Sequence, residues 1–179
     1  RFVIKHIGHP DDADDIARGD ANLVNRLDAH KGDEIADASA AFNRVLEKAS
    51  EMLKSERIAS DVFEHALEGI LVADREVRIV KVNPAFTRTT GYTAQEAIGR
   101  NPRMLQSGRH DAEFYNAFWE SLRSRGEWQG EIWNKRKNGE VYPEWLNITA
   151  VRDTHGDIEH FVAIFSDITE RKQQEEIIT

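Results

Sequence analysis

The chain has 179 residues, a formal net charge of −8 at pH 7, 40% apolar side chains and no cysteine. That length holds one ordinary domain and an appendage. The missing cysteines exclude disulfides, thiolate nucleophiles and zinc–cysteine sites, and suit a reducing cytoplasm. An acidic balance with no basic stripe argues against nucleic acid as a partner, and no run reaches the ~20 apolar residues of a bilayer crossing.

The sequence opens at Arg1-Phe2-Val3-Ile4 without an initiator methionine, as expected of a piece of a longer protein. His9-Pro10 followed by Asp11-Asp12-Ala13-Asp14-Asp15 reads as a short helix start, because carboxylates favour the positive end of the helix dipole. Gly19 is placed to end that helix. An extended connector is expected from Asp20 to Lys31, anchored by Leu23, Val24 and Leu27. From Gly32 a second helix is expected, capped by Asp33. Ile35, Ala38, Phe42, Val45, Ala49 and Met52 fall on its a and d heptad positions. A seam this narrow predicts a parallel bundle with a second copy of the chain, the alternative being a hairpin with the first helix. The helical pattern continues over residues 54–67, with Ile58, Val62, Phe63 and Leu67 on one stripe, until Glu68-Gly69 breaks it.

Two strands follow, Ile70 to Ala73 and Val77 to Val82, around Asp74-Arg75-Glu76. Asn83-Pro84 starts a short helix that ends at Gly91, since asparagine caps and proline suits the first turn. Thr93-Ala94-Gln95-Glu96 starts another by a capping box. Residues 100–110 read as irregular, and Asp111 opens a longer helix closed by Gly126. Three strands complete the chain: Trp128 to Lys135, Val141 to Val151 and Ile158 to Ser166. Lys137-Asn138-Gly139 and Thr154-His155-Gly156-Asp157 supply the turns between them. In the second of these strands Tyr142, Glu144, Leu146, Ile148 and Ala150 share one face, and Trp145, Asn147 and Thr149 the other. The expected fold is α+β: a five-stranded antiparallel sheet with short helices on one face, preceded by a helical coiled-coil segment.

Two family resemblances cover nearly the whole chain. Ile16-Ala17-Arg18-Gly19-Asp20, Leu23, Arg26-Leu27, Gly32-Asp33-Glu34-Ile35 and Ala41-Phe42-Asn43 resemble a HAMP domain, although Pro10 lies closer to Gly19 than that family's proline. This implies a parallel homodimer of four helices and a membrane segment before Arg1. Gly69-Ile70, Asn83-Pro84-Ala85-Phe86, Thr90-Gly91-Tyr92, Ile98-Gly99 and Asp167-Ile168-Thr169 resemble a PAS domain. The implied organisation is a HAMP-like relay over 1–53, a connecting helix over 54–66, a PAS domain over 67–169, and an output helix beginning at 170–179. The implied setting is the cytoplasmic portion of a bacterial inner-membrane receptor. It would signal to a C-terminal effector in cis, such as a diguanylate cyclase (hence cyclic di-GMP signalling), a phosphodiesterase or a histidine kinase.

The occupant of a PAS pocket is left open. Trp128, Gly130, Ile132, Asn134, Tyr142, Glu144, Leu146 and Ile148 are the expected pocket face, and a buried amide or carboxylate there needs a partner. The default expectation is no cofactor, or a small metabolite held by Arg103, Asn134 and Glu144. The stretch from Gly99 to Gln106 and the stretch Asn134-Lys135-Arg136-Lys137-Asn138-Gly139 are similar to the flavin-binding motifs of LOV photosensors. By that resemblance Asn101 and Arg103 approach the ribityl chain and phosphate, Gln106 is the matching glutamine, and Asn134 meets the ring edge. The photoreactive cysteine position is Pro102, the second ring-edge asparagine falls on Glu144 and the last-strand glutamine on Phe165. A cysteinyl adduct is thereby excluded, and what remains is a redox flavin as in FAD-binding PAS domains, whose pattern Trp128, Gly130, Asn134, Arg136 and Lys137 echo. Haem would need an axial histidine, for which His110 is the candidate. The other six histidines lack ligand spacing, so no metal site is predicted.

An enzymatic reading finds no nucleophile–base pair and no phosphate-cradling loop, and strand alternation parts Glu131 from Glu144. On the outer sheet face Trp133 and Trp145 call for a cover, either the helix over 55–67 or a partner subunit, the alternative being a half-exposed cross-strand pair. At the exit, Asp167, Ile168 and Thr169 are the expected signal joint, with Arg171 as partner of Asp167.

Overall fold

A computed structural model describes the backbone of residues 21–178 and the side chains of residues 37–178. The chain divides into two units, residues 1–57 and 58–179. The acidic helix start near Pro10 and the side chain of Ile35 lie outside the described residues.

Helix α1 runs without interruption from Ala21 to His65. This corrects the expected connector up to Lys31 and the expected cap at Asp33. No proline falls in this span, and a glycine inside a helix costs only about 1 kcal/mol against alanine. Gly32 is therefore carried through by good helix formers on both sides. Of the expected seam, Phe42, Val45 and Met52 are exposed, and so are Ala38 and Ala49.

The second unit is built on a five-stranded antiparallel sheet with strand order β2-β1-β5-β4-β3. Its strands are β1 (Gly69–Asp74), β2 (Ile79–Val82), β3 (Glu127–Lys135), β4 (Val141–Arg152) and β5 (Ile158–Asp167). Between β2 and β3 lie α2 (Pro84–Thr90), α3 (Ala94–Ala97), a 3-10 turn (Pro102–Leu105) and α4 (Ala112–Arg125), and α5 (Thr169–Ile178) follows β5. The alternation expected in β4 is present: Tyr142, Glu144, Leu146, Ile148 and Ala150 are buried, while Trp145, Asn147 and Thr149 face out. The core gathers Leu146, Ile148 and Ala150 with Phe86, Phe118, Leu122 and Phe165.

Local chemistry fixes where the elements begin. Asn83 caps α2 by accepting the Phe86 N–H at 3.0 Å, and the same oxygen accepts the Ile70 N–H at 2.8 Å. Its amide donates to the Glu68 carbonyl at 2.9 Å. One buried side chain thus joins the entry of β1 to the start of α2. Gly69 beside it leaves no room for a side chain: an added Cβ would lie 2.3 Å from the ring of Phe165. Thr93 and Glu96 form the expected capping box, and Asp111 caps α4.

The outer face is partly covered within the chain. Phe63 is the member of the α1 stripe that reaches the sheet, under the Lys81 ammonium at 4.3 Å, and Ile58, Val62 and Leu67 are exposed. Trp133 lies under the Arg109 guanidinium, 3.7 Å from its ring centroid. Trp145 remains 41% exposed.

Losing Asn83 removes a cap and orphans buried backbone groups, so Asn83→Ala should destabilise by about 2–3 kcal/mol. Asn83→Asp, which keeps the acceptor and loses the donor, should cost less. Urea denaturation of the three proteins measures both.

Candidate functional site

The sheet, α4 and the 3-10 turn line a cavity of about 300 Å³. Its walls are apolar, among them Leu71, Ile132, Leu146, Ile148 and Phe165, and its polar lining includes Asn134, Glu144, Asn101, Arg103 and Gln106. Five of the residues expected to bind a cofactor therefore meet at one cavity. Trp128 is not in that lining. It packs against Phe114 and Phe118 of α4, with ring centroids 5.9 and 4.9 Å away, and covers Gly130. His110 is also outside the lining. Its Nε2 accepts the Trp133 N–H at 2.9 Å, and its ring stacks on Phe114 at 4.0 Å. Burial and the neighbouring Arg109 charge hold it below the ordinary histidine range, against the opposing pull of Asp111. It is committed as a neutral acceptor at the edge of β3.

Glu144 is the chemically unusual group. It is 2% exposed, and both its oxygens accept hydrogen bonds: Oε1 from Asn134 Nδ2 at 2.8 Å, Oε2 from the Tyr142 hydroxyl at 2.7 Å. Burial pushes its carboxyl up to about 7, despite the two donors that favour the charged form. Burial and the Glu144 charge push the Tyr142 hydroxyl up in turn. Asn134 is held from the other side as well, because its backbone bridges to Gln106 across the cavity rim.

Two features of the site had no sequence signal. The Tyr115 hydroxyl is buried without a hydrogen-bond partner, and Tyr115 lines the cavity. Such a group is an exception that an occupant would resolve. Val77 also lines the cavity and holds a positive φ of 60°, strained for a β-branched side chain. At the mouth, the Asn101 side chain accepts the Arg103 N–H at 3.0 Å and so fixes the 3-10 turn.

The exit joint differs from the expected pairing. Arg171 pairs with Glu175 at 3.3 Å, one turn along α5, where the geometry of a helix favours it. The partner of Asp167 is Arg136, at 2.5 Å. Asp167 Oδ1 accepts the Thr169 N–H at 2.9 Å and its hydroxyl at 2.5 Å. Burial pushes the Asp167 carboxyl up, but the hydrogen bonds from Thr169 and Arg136 outweigh it and hold the group below the usual carboxylate range.

Glu144 keeps its proton in the folded protein over a range where the unfolded chain has released it. Stability therefore falls as pH rises from the ordinary 4.5 through about 7. Glu144→Gln removes this dependence, and the wild type should lose roughly 3 kcal/mol relative to that variant between pH 4.5 and 8. Parallel urea melts at the two pH values check it, and identical profiles would contradict the assignment.

Comparison with known proteins agrees with this geometry. The family model of the PAS domain matches residues 67–170. A nitrogen fixation regulatory protein of Klebsiella oxytoca is 36% identical over 106 residues, covering 59% of this chain and 21% of that protein. A blue-light-activated histidine kinase of Brucella canis is 36% identical over 91 residues, covering 51% of this chain and 19% of the kinase. The chain thus spans about a fifth of the length of these curated relatives. Among solved structures, an RNA-binding light-oxygen-voltage receptor shares 31% identity with a TM-score of 0.62, over 67% of this chain and 35% of that one. The domain is a sensor module and not a catalytic one. With its sheet order, capped helices and cavity over the matched residues, the chain belongs to the PAS domain family.

Proposed function

We propose that this chain is the sensory and relay segment of a larger signalling protein, with the cavity as its input and α5 as its output. The observation that carries the reading is the cavity of about 300 Å³, at the lower bound for ligand pockets, with a buried polar pair at one wall. The regulator and kinase relatives support an effector lying in cis beyond α5.

The occupant that the residues fit is a flavin. Leu71, Ile132, Leu146, Ile148 and Phe165 offer apolar surface to a planar ring, Asn134 and Glu144 offer hydrogen bonds at an edge, and the unpartnered Tyr115 hydroxyl offers another. Asn101 and Gln106 stand at the mouth with Arg103, whose guanidinium suits a phosphate. A bound flavin supplies one- and two-electron redox chemistry. Glu144 can take up or release a proton at its carboxyl oxygens near neutral pH, and so respond to a change of charge beside it. The chain has no cysteine and carries Pro102 in the motif, so no cysteinyl adduct is available to it. The haem alternative loses support, because the Nε2 of His110 is engaged by Trp133 outside the cavity.

The absorption spectrum of the purified chain, as isolated and after incubation with FAD or FMN, tests this. The expected result is the two-banded near-ultraviolet and blue spectrum of oxidised flavin, bleached by dithionite. A featureless visible trace under both conditions would overturn the flavin assignment, and a Soret band would replace it with haem.

The same reading makes α1 a relay between two copies of the chain, downstream of a membrane anchor. Exposure of Phe42, Val45 and Met52 on one heptad seam supports the pairing. The HAMP connector is not part of the proposal over 21–31, where α1 is continuous. Light scattering should give the mass of a dimer, and joint substitution Phe42→Asp, Met52→Asp should give a monomer. A wild-type monomer at high concentration would contradict the pairing.

A further inference from the structure

We propose that Arg136 couples the cavity to the outgoing helix, holding Tyr142 and Glu144 on one side and Asp167 on the other. This rests on the reading of the cavity as the input, but not on which ligand fills it.

Arg136 follows directly on β3, and every arm of its guanidinium is used. Nε binds Glu140 at 3.0 Å, Nη1 binds the Thr89 carbonyl at 2.7 Å, and Nη2 binds Asp167 at 2.5 Å. Its flat face lies 3.9 Å from the ring centroid of Tyr142. The Tyr142 hydroxyl donates to Glu144, which lines the cavity. Asp167 in turn fixes Thr169, the first residue of α5. An unbroken chain of contacts therefore runs from the cavity wall to the helix start.

The electrostatics give the chain a direction. Glu144 and Asp167 are paired residues of β4 and β5, so two carboxylates sit on adjacent strands. The charged or titratable groups that act on Glu144 are Tyr142, Asp167 and Arg136. A further charged pair at this joint, Lys172 with Glu131 at 2.7 Å, belongs to the outer side of the sheet, where Glu131 pairs with the exposed Trp145. When Glu144 is charged it repels Asp167 and draws on Arg136 through the tyrosine. When it is neutral, Arg136 serves Asp167 and Glu140, and the grip of Asp167 on Thr169 tightens. A change at the cavity wall is thus converted into the firmness of the first turn of α5. Lysine cannot replace Arg136, since a point charge cannot reach three oxygens and cover a ring in one geometry.

A double-mutant cycle read by amide hydrogen exchange tests this on the full chain. At pH 8, Glu144→Gln should slow exchange of the Lys172 amide, which donates to the Ile168 carbonyl, by about three-fold or more, the low end of couplings within a shared network. In the Arg136→Gln background the same substitution should change that rate by less than about two-fold. Should Arg136→Gln fail to fold, Arg136→Lys serves as the second background, with the same expectation. Equal slowing in both backgrounds would mean that Glu144 acts on Asp167 without Arg136, and overturns the proposal. No slowing in the wild-type background overturns it too. A colourless protein would end the flavin reading and leave this cycle unaffected.

Discussion

A carboxyl group shut away from water inside a sheet must either give up its charge or be surrounded by donors. Glu144 sits between these limits. Asn134 and Tyr142 stabilise its charged form, burial opposes them, and the balance falls near neutral pH. The rest of the domain is arranged about that compromise. β3 supplies the amide, β4 the hydroxyl, and Arg136 backs the tyrosine ring from the far side.

Such a group is poorly suited to a domain selected for stability alone, because replacing it by an apolar side chain of similar volume often costs nothing. It suits a sensor. A group close to its own midpoint changes state for a small input, and a two-state element needs only a few kcal/mol between its states. The neighbouring orphan, the Tyr115 hydroxyl, and the strained Val77 backbone lie around the same cavity. Strain and unsatisfied polarity thus gather where a ligand would act.

Much of this was legible from residue pattern. Alternation through β4 assigned Tyr142, Glu144, Leu146, Ile148 and Ala150 to the core because a strand has a strict two-residue period. Asn83-Pro84, the Thr93 capping box, and Asp111 with Gly126 marked helix ends through local hydrogen bonds that involve near neighbours in sequence. What failed was of two kinds. The break expected around Gly32 was overridden by helix formers on both sides, a sum over many residues that one glycine does not decide. The Arg171–Asp167 pairing failed because a nearby residue was preferred to one 31 positions away, whereas Arg136 arrives at Asp167 through the sheet. Tyr115 and Val77 carried no signal at all, since cavity lining and backbone strain are properties of assembled elements. Trp128 belongs to the aromatic packing against α4 because β3 presents it beyond the cavity.

The central claim is that one buried carboxyl is poised near neutrality and is felt at the start of α5. Carbon-13 NMR of the Glu144 carboxyl, followed together with the Thr169 amide through a pH titration, addresses it most directly. The account predicts a Glu144 midpoint near 7, with the Thr169 amide shifting at that same midpoint. A Glu144 midpoint at the ordinary 4.5, or a Thr169 amide indifferent to the transition, would contradict it.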